Sequence, residues 1–298
     1  MYNIIGTRKI WFSLSALLMI VSIVFIAIGG LKLGIDFKGG SLLQIKFEDN
    51  RPATQDVQNN LDKFELGDIV IQPVKDTELL IRMKDIGNDV REEILASLGE
   101  EFGTVQEMAF ESIGPTIGKE LTRKAIIAII IVMLAIIAYV SWAFRKISSG
   151  PVPAYVFGLG AIVALAHDIL IVTGIFAALG YFLDVEIGAL FVTALLTILG
   201  FSVHDTIVVY HRTREGILKD STADFKGILN TAINATLIRS LNTSITTLFV
   251  LVALYLFGGE SIKYFVLALI LGILLGTYSS IFIASPILLL WQRFFKNK

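Results

Sequence analysis

Long apolar runs separated by short polar segments make up most of this chain. Six runs have about twenty or more residues, the length that crosses a bilayer as a helix. They predict membrane spans over residues 10–31, 125–144, 154–183, 187–210, 237–257 and 264–290. The polar stretch 212–235 is interpreted as the loop between the fourth and fifth spans. A stretch of about 90 residues after the first span has no such run, so the plan is one span, a polar insert and five further spans.

The insert shows the periodicities of a small α+β domain. Residues 41–47, 68–74, 78–83 and 104–110 are strand-like, and two segments repeat apolar residues at helical spacing. The order β-α-β-β-α-β is that of ferredoxin-like domains. The helical positions are Val57, Leu61 and Phe64 in the first segment, and Val90, Ile94, Leu98 and Phe102 in the second.

The distribution of lysine and arginine predicts the orientation, because short cytoplasmic loops are rich in both. The basic residues of the short loops fall on the side of the amino terminus, which places both termini in the cytoplasm and the insert outside. We therefore expect a cytoplasmic amino terminus and first span over 1–31, an external ferredoxin-like domain over 32–122, and a five-helix transmembrane domain over 123–298. The residues used are Arg145, Lys146, Arg212, Arg214, Lys219, Lys226, Arg293, Lys296 and Lys298.

Composition agrees with a membrane bundle and excludes several other classes. Of the 298 residues 55% are hydrophobic and 17% charged, and the mean hydropathy is +0.75. The net charge of -1 gives no reason to expect a nucleic-acid partner. With no cysteine and only three histidines, neither disulfides nor a metal or other cofactor is expected.

Two ionisable residues of opposite sign stand out within the spans. Asp205 lies in the fourth and Arg239 in the fifth, and a charge inside a membrane span is costly enough to indicate function. Both are expected very roughly 6–10 Å inside the same membrane face, so an antiparallel helix pair could bring them into contact. An aspartate that alternates between a paired and an unpaired state could bind and release a proton.

Further polar residues of the spans are weaker candidates for the same ion relay. Asp168, near the middle of the third span, should face the bundle interior. Such polar positions can also be helix-packing contacts rather than an ion pathway, and Arg239 near a span end can extend to the membrane interface. The neighbours of the candidate relay are His167, His204, Asn242, Thr243 and Thr246.

Two glycine-containing segments flank the insert. Adjacent glycines permit backbone angles closed to other residues, so the first segment is at least a turn between helix and strand. The second precedes the next span, and together they predict a hinge for the inserted domain. The residues concerned are Asp36, Phe37, Gly39 and Gly40 at the entrance, and Gly114 and Pro115 at the exit.

The motifs and their order resemble the SecF family of bacterial protein-export membrane subunits, part of the RND (resistance–nodulation–division) superfamily. The resemblance covers essentially the whole chain. It rests on the entrance and exit motifs of the insert, the His167–Asp168 pair, the run from Asp205 into Arg212 and Glu215, and the segment from Arg239 to Ser244.

The resemblance implies an accessory function in the Sec protein translocase, with no enzymatic activity. The family couples the proton (or sodium) motive force to late steps of polypeptide export across the bacterial cytoplasmic membrane. Implied partners are SecD with another six-span half, the SecYEG channel, SecA, the exported unfolded polypeptide and membrane lipid. The family's proton-relay positions match Asp205 and Arg239, whereas many relatives have asparagine in place of His204, so no role transfers to that histidine.

Other functions fit parts of the pattern. RND small-molecule exporters usually have two large external inserts and duplicated spans, whereas this chain has one small insert. An intramembrane aspartyl protease would need Asp168 and Asp205 close together, and its Gly-x-Gly-Asp signature is absent, since Gly160 is followed by Ala161. Ser202 does not lie in the Gly-x-Ser-x-Gly motif of serine hydrolases. A scaffold role without ion coupling also remains open.

Overall fold

The computed structural model describes residues 2–145, 152–219 and 224–296. Lys146 and Lys298, used above for the orientation, lie outside these residues. The elements in chain order are α1 Arg8–Gly29, α2 Ile35–Lys38, β1 Gly40–Phe47, α3 Thr54–Leu61, β2 Val70–Lys75, β3 Glu78–Met83, α4 Asn88–Phe102, β4 Val105–Ile113, α5 Pro115–Ala143, α6 Ala154–Leu183, α7 Ala189–Lys219, α8 Phe225–Phe257, α9 Glu260–Ser279, a π-helical turn Ser280–Ala284 and α10 Ser285–Lys296.

The predicted fold class is confirmed. Within the described ranges six helices are long and apolar enough to cross a membrane, the last being the continuous stretch Ser261–Gln292. Contacts divide the chain into a transmembrane unit, residues 1–32 with 127–298, and an inserted domain, residues 33–126. The inserted domain therefore includes the first turns of α5, a few residues beyond the expected boundary at 122.

The inserted domain is a four-stranded antiparallel sheet with two helices. The strand order is β2-β3-β1-β4, as the split β-α-β arrangement requires. Alternate residues of the central strands, such as Leu43, Ile45, Leu79 and Ile81, are fully buried. They form one core with apolar residues of α3 and α4, because side chains of a strand alternate between its two faces.

The polar stretch 212–235 is mostly helical, so its interpretation as a loop was wrong. Helix α7 continues to Lys219, and α8 already begins at Phe225, where Asp224 accepts a hydrogen bond from the Lys226 amide. Periodic apolar residues stabilise these extensions, since they pack into the bundle while the polar residues between them stay outside. The buried residues of the extensions include Thr213, Ile217, Phe225, Leu229 and Ile233.

Small residues let the helices of the transmembrane unit approach closely. A Cβ at Gly272 or Gly276 of α9 would lie within 3 Å of Ile198 or Ser202 of α7. These two glycines therefore let α9 pack closely on α7 inside the chain's own bundle. On the other side, a Cβ at Gly174 of α6 would collide with Ser22 of α1. Helices α7 and α9 thus lie side by side where α7 carries its polar residues.

Candidate functional site

Asp205 is a buried carboxylate that two hydroxyl groups contact. Its side chain leaves α7, and the residue is only 4% exposed. The Ser240 hydroxyl of α8 donates to one carboxylate oxygen at 3.2 Å, and the Thr277 hydroxyl of α9 lies 3.5 Å from the other. Thr277 also lies 3.0 Å from the Ile273 carbonyl oxygen. A hydroxyl has one proton to donate, so Thr277 cannot donate to both oxygens at once. Asp205 therefore receives few hydrogen bonds for a buried carboxylate.

Arg239 does not form the predicted contact with Asp205. Among the described residues no ion pair joins the two, and the Arg239 side chain is exposed on the surface of this chain. The reason is helical geometry: Ser240 faces Asp205, and the preceding residue points about 100° away around the helix axis.

Asp205 and Arg239 lie equally far along α7 and α8 from the connection between these helices. Asp205 lies fourteen residues before the end of α7 at Lys219, and Arg239 lies fourteen residues after the start of α8 at Phe225. At 1.5 Å per residue, each is about 21 Å along its helix from the connection between them. The expected depth of roughly 6–10 Å rested on a loop over 212–235 that is mostly helical instead, and it stays a prediction.

Asp168 is the second buried carboxylate of the bundle, and it is held more tightly. It is fully buried on α6. The hydroxyls of Ser202 on α7 and Ser279 on α9 donate to one of its oxygens, each at 2.7 Å. The His167 Nδ1 atom lies 2.9 Å from the other oxygen. Three short contacts from three helices thus fix the Asp168 carboxylate, so this residue joins α6, α7 and α9.

His167 is buried beside Asp168 and stacks on an aromatic ring. Its ring lies 6.0 Å from that of Tyr278 on α9, with 27° between the two planes. The Tyr278 hydroxyl contacts the Ser15 hydroxyl at 2.9 Å and the Trp11 carbonyl oxygen at 3.0 Å. The Nε2 atom of His167 is buried without a hydrogen-bond partner among the residues that the structure describes. The histidine therefore contributes to the seam between α1, α6 and α9.

The two aspartates form separate centres on shared helices. Ser202 and Asp205 lie three residues apart on α7, and Thr277 and Ser279 lie two apart on α9. Within the described part of the chain, no hydrogen bond joins the two carboxylates. This is not the shared-proton pair that an aspartyl protease requires. No group of three or more histidine, aspartate or glutamate side chains that could hold a metal ion occurs in the described ranges.

The remaining polar candidates lie on the surface of the transmembrane unit. His204 is exposed on α7, as are Asn242 and Thr246 on α8, and Thr243 is half-buried. Thr243 and Thr246 each donate to the carbonyl oxygen four residues earlier, at 3.0 Å. Their hydroxyls are therefore satisfied within α8. These side chains do not surround Asp205, although they lie on the helices that position it.

The sequence pattern did not predict the hydroxyl residues that contact the two carboxylates. They are Ser202, Ser240, Thr277 and Ser279. Single serines and threonines are frequent in membrane helices because they pack closely and can bond to their own backbone. The signal that could have revealed them is position: Ser202 and Asp205 share one face of α7, and Ser240 follows Arg239 directly.

The entrance and exit motifs of the inserted domain meet in space. Gly40 of β1 is paired with Ile113 of β4, so the two connections lie side by side. The Phe37 side chain is buried, and Gly114 immediately precedes α5, which begins at Pro115. Asp36 lies in the first turn of the short helix α2. The structure thus brings the two glycine-containing segments together.

Comparison with known proteins agrees with this architecture. Residues 93–294 match the family model described as protein export membrane protein SecD/SecF, C-terminal. Residues 24–50 match the SecD/SecF GG motif. The chain belongs to the SecD/SecF family. The protein translocase subunit SecF of Thermobaculum terrenum is 42% identical, over 98% of this chain and 95% of its own length. The SecF subunit of Anaerolinea thermophila is 39% identical, over 98% and 94%.

Solved structures similar to this chain are longer SecDF chains. The crystal structure of SecDF, a translocon-associated membrane protein from Thermus thermophilus, matches all of this chain with a TM-score of 0.85 and 32% identity. A second SecDF structure, in a super-membrane-facing form, matches with a TM-score of 0.71 and 30% identity. The chain spans 39% of the SecDF chain in each case. The similarity supports a multi-pass membrane protein that is an accessory subunit of the Sec translocase.

Proposed function

We propose that this chain couples a proton or sodium gradient to a late step of polypeptide export through the Sec translocase. The observation that carries the proposal is Asp205, a buried carboxylate whose hydroxyl contacts within the described residues are two long ones. Such a group is costly to keep charged in a membrane bundle unless a cation comes to it. A proton, a sodium ion or Arg239 could each supply the positive charge.

The proposed switch is an exchange of partners at Asp205. Ser240 contacts the carboxylate, and Arg239 precedes it on α8. Because adjacent residues of a helix differ by about 100° in direction, a rotation or tilt of α8 would exchange serine for arginine. With Arg239 beside it the carboxylate needs no bound ion, and with Ser240 beside it an ion is favoured. Each elementary charge that crosses about 100 mV releases roughly 2.3 kcal/mol, and several such steps could drive export.

Arg239 also supports the proposed requirement for a partner. Its side chain is exposed on this chain, about 21 Å along α8 from the start of the helix. A charge at such a level is poorly accommodated by lipid, whereas a second protein half could surround it. We propose that a SecD subunit with six spans covers this surface. The SecYEG channel, SecA and the exported polypeptide are the further proposed partners, in a bacterial cytoplasmic membrane with both termini of this chain in the cytoplasm.

Names of the relatives favour export of polypeptides over export of small molecules, since those quoted above are translocase subunits. Asp168 stays a candidate second carboxylate of the relay. Its three short contacts make it the less mobile of the two. In the proposed mechanism Asp168 holds α7 and α9 in place. Asp205 exchanges the bound ion for the Arg239 side chain of α8.

The decisive experiment compares two asparagine substitutions in membrane vesicles that contain the complete translocase. We expect Asp205→Asn to abolish the gradient-dependent fraction of export and to leave the ATP-driven fraction unchanged, because the amide cannot carry the ion. Asp168→Asn should cause the smaller loss. Asp205→Glu, which keeps the carboxylate, is the matched control and should retain part of the activity. Unchanged gradient-dependent export in Asp205→Asn would exclude the proposed relay.

A further inference from the structure

The Gly39–Gly40 pair has backbone angles that side chains rarely allow. Gly39 has φ +81° and Gly40 has φ +132°, in the region that glycine populates readily because it has no Cβ. The pair ends the short helix α2 and begins strand β1. A glycine pair of this kind is expected at a turn, and its conformation alone does not distinguish a hinge from a fixed joint.

The lack of free space around these glycines does distinguish a fixed joint from a hinge. A Cβ at Gly39 would lie 2.7 Å from the Pro115 Cα atom, and one at Gly40 would lie 2.7 Å from the Met83 carbonyl oxygen. In the first turns of α5, a Cβ at Gly118 would lie 2.8 Å from the Phe37 carbonyl oxygen and 3.0 Å from the Gly39 nitrogen. Backbone thus packs directly on backbone where the chain enters and leaves the inserted domain. By contrast, a Cβ at Gly30 would meet nothing within 4 Å.

Hydrogen bonds hold the same two connections together. The Gly39 amide donates to the Ile35 carbonyl oxygen at 2.8 Å. One residue beyond the glycines, the Ser41 hydroxyl donates to the Ser112 hydroxyl at 3.1 Å, across the pairing of β1 with β4. The Ile86 amide donates to the same Ser41 oxygen at 3.0 Å. The entrance and the exit are therefore tied to each other and to the segment after β3.

We propose that the glycine pair is a rigid clasp and not a hinge. Hinges are a few residues that absorb large changes in backbone angles, which needs free space around them. At the clasp, defined as residues 35–41 with 112–118, any such change would drive backbone atoms into each other. The clasp makes the first turn of α5 part of the inserted domain, so a force on this domain acts on α5 directly. This inference goes beyond the proposed function and concerns the role of the glycine motif itself.

A disulfide across the clasp tests the proposal, and the chain has no cysteine of its own. Ser41→Cys with Ser112→Cys places two thiols where the serine hydroxyls are 3.1 Å apart, within reach of a disulfide. We expect the disulfide to form readily in the assembled translocase, with equal gradient-dependent export in the oxidised and reduced forms. Failure to form it, or a loss of export on oxidation that a reductant restores, would overturn the clasp. Each single cysteine variant is the control for loss of the serine.

A matched pair of glycine substitutions provides the second test. Gly118→Ala introduces the two close contacts described above, whereas a Cβ at Gly114 would meet only the Asp85 carboxylate oxygen, at 3.8 Å. We expect Gly118→Ala to lower both the yield of the 41–112 disulfide and the gradient-dependent export, the latter at least about fivefold. Gly114→Ala should leave both unchanged. Equal behaviour of the two alanine variants would contradict the clasp.

The two tests separate failure of the clasp from failure of the ion relay. Asp205→Asn reports on the relay and leaves the disulfide yield between positions 41 and 112 unaffected. A loss of export in Asp205→Asn together with normal export in Gly118→Ala would reject the clasp and keep the relay. The opposite result has three parts: export is unaffected in Asp205→Asn, the 41–112 disulfide forms completely, and its yield falls in Gly118→Ala but not in Gly114→Ala. That result would reject the relay and keep the clasp.

Discussion

Asp168 and Asp205 lie in the same helix bundle and are both almost completely buried, but their surroundings differ. Asp168 has three contacts of 2.7 to 2.9 Å, from residues on α6, α7 and α9. Asp205 has two contacts of 3.2 and 3.5 Å, one of them from α8, the helix that carries Arg239. Hydrogen bonds weaken as they lengthen. Burial alone therefore does not distinguish the two carboxylates, whereas the number and length of their contacts do.

The difference also follows the position of each residue in the fold. Asp168 lies on α6, and half of the apolar stretch of α6 that is suited to cross a membrane is buried within the chain. Asp205 accepts a hydrogen bond from α8, and only 17% of the corresponding stretch of α8 is buried. A helix with so few contacts inside the chain can change its position at lower cost than one in the core. The loosely held carboxylate is therefore next to the helix that is freer to move.

The largest expected effect is the difference in stability between variants that remove each of the two carboxylates. Asp168→Ala removes the acceptor of three buried groups, of which Ser279 keeps a contact with the Gly276 carbonyl oxygen at 3.2 Å, so we expect the free energy of unfolding to fall by on the order of 3 kcal/mol. Asp205→Ala removes two long contacts and should cost about 1 kcal/mol. Denaturant unfolding of the purified chain in detergent measures both changes. Equal losses would show that the two sites do not differ in the way their contacts indicate.

Removing one hydroxyl from each site should give a smaller difference of the same sign. Ser279→Ala removes a 2.7 Å hydrogen bond to Asp168, and we expect a loss of about 1 to 2 kcal/mol. Ser240→Ala removes the 3.2 Å bond to Asp205, with an expected loss of about 0.5 kcal/mol. The same unfolding measurement applies to this pair, which exchanges identical atoms. A larger loss in Ser240→Ala would reverse the comparison.

The smallest expected change in stability is that of Arg239→Gln. The side chain is exposed and makes no ion pair within the described ranges, so the free energy of unfolding of the isolated chain should change by less than about 0.5 kcal/mol. Gradient-dependent export should nevertheless be lost, because the proposed exchange at Asp205 needs the cation. His204→Asn, another exposed change beside Asp205, is the control and should preserve export. A strongly destabilised Arg239→Gln variant would point to a structural role for the arginine.

The long apolar runs and the periodicity of the insert determined the fold class of this protein. Each of the six runs is long enough to cross a bilayer as a helix, in which the backbone polar groups bond to each other because lipid offers them no partner. The inserted domain followed from the alternation in segments such as 78–83, where Leu79 and Ile81 fill its core. The sequence also predicted that Asp205 and Arg239 lie on neighbouring helices, and they lie on α7 and α8. Helix ends were less certain, as the amphipathic extensions of α7 and α8 show.

Tertiary structure decided which side chains meet. The direction of Arg239 away from Asp205, and the place of Ser240 beside it, depend on how α8 is rotated against α7, and the rotation is set by packing along both whole helices. Two of the three contacts of Asp168 come from residues 34 and 111 positions away in the sequence. The clasp likewise joins Gly39 to Pro115 only because β1 pairs with β4. Local sequence determines which segments are helices and strands, and long-range packing determines which of their side chains meet.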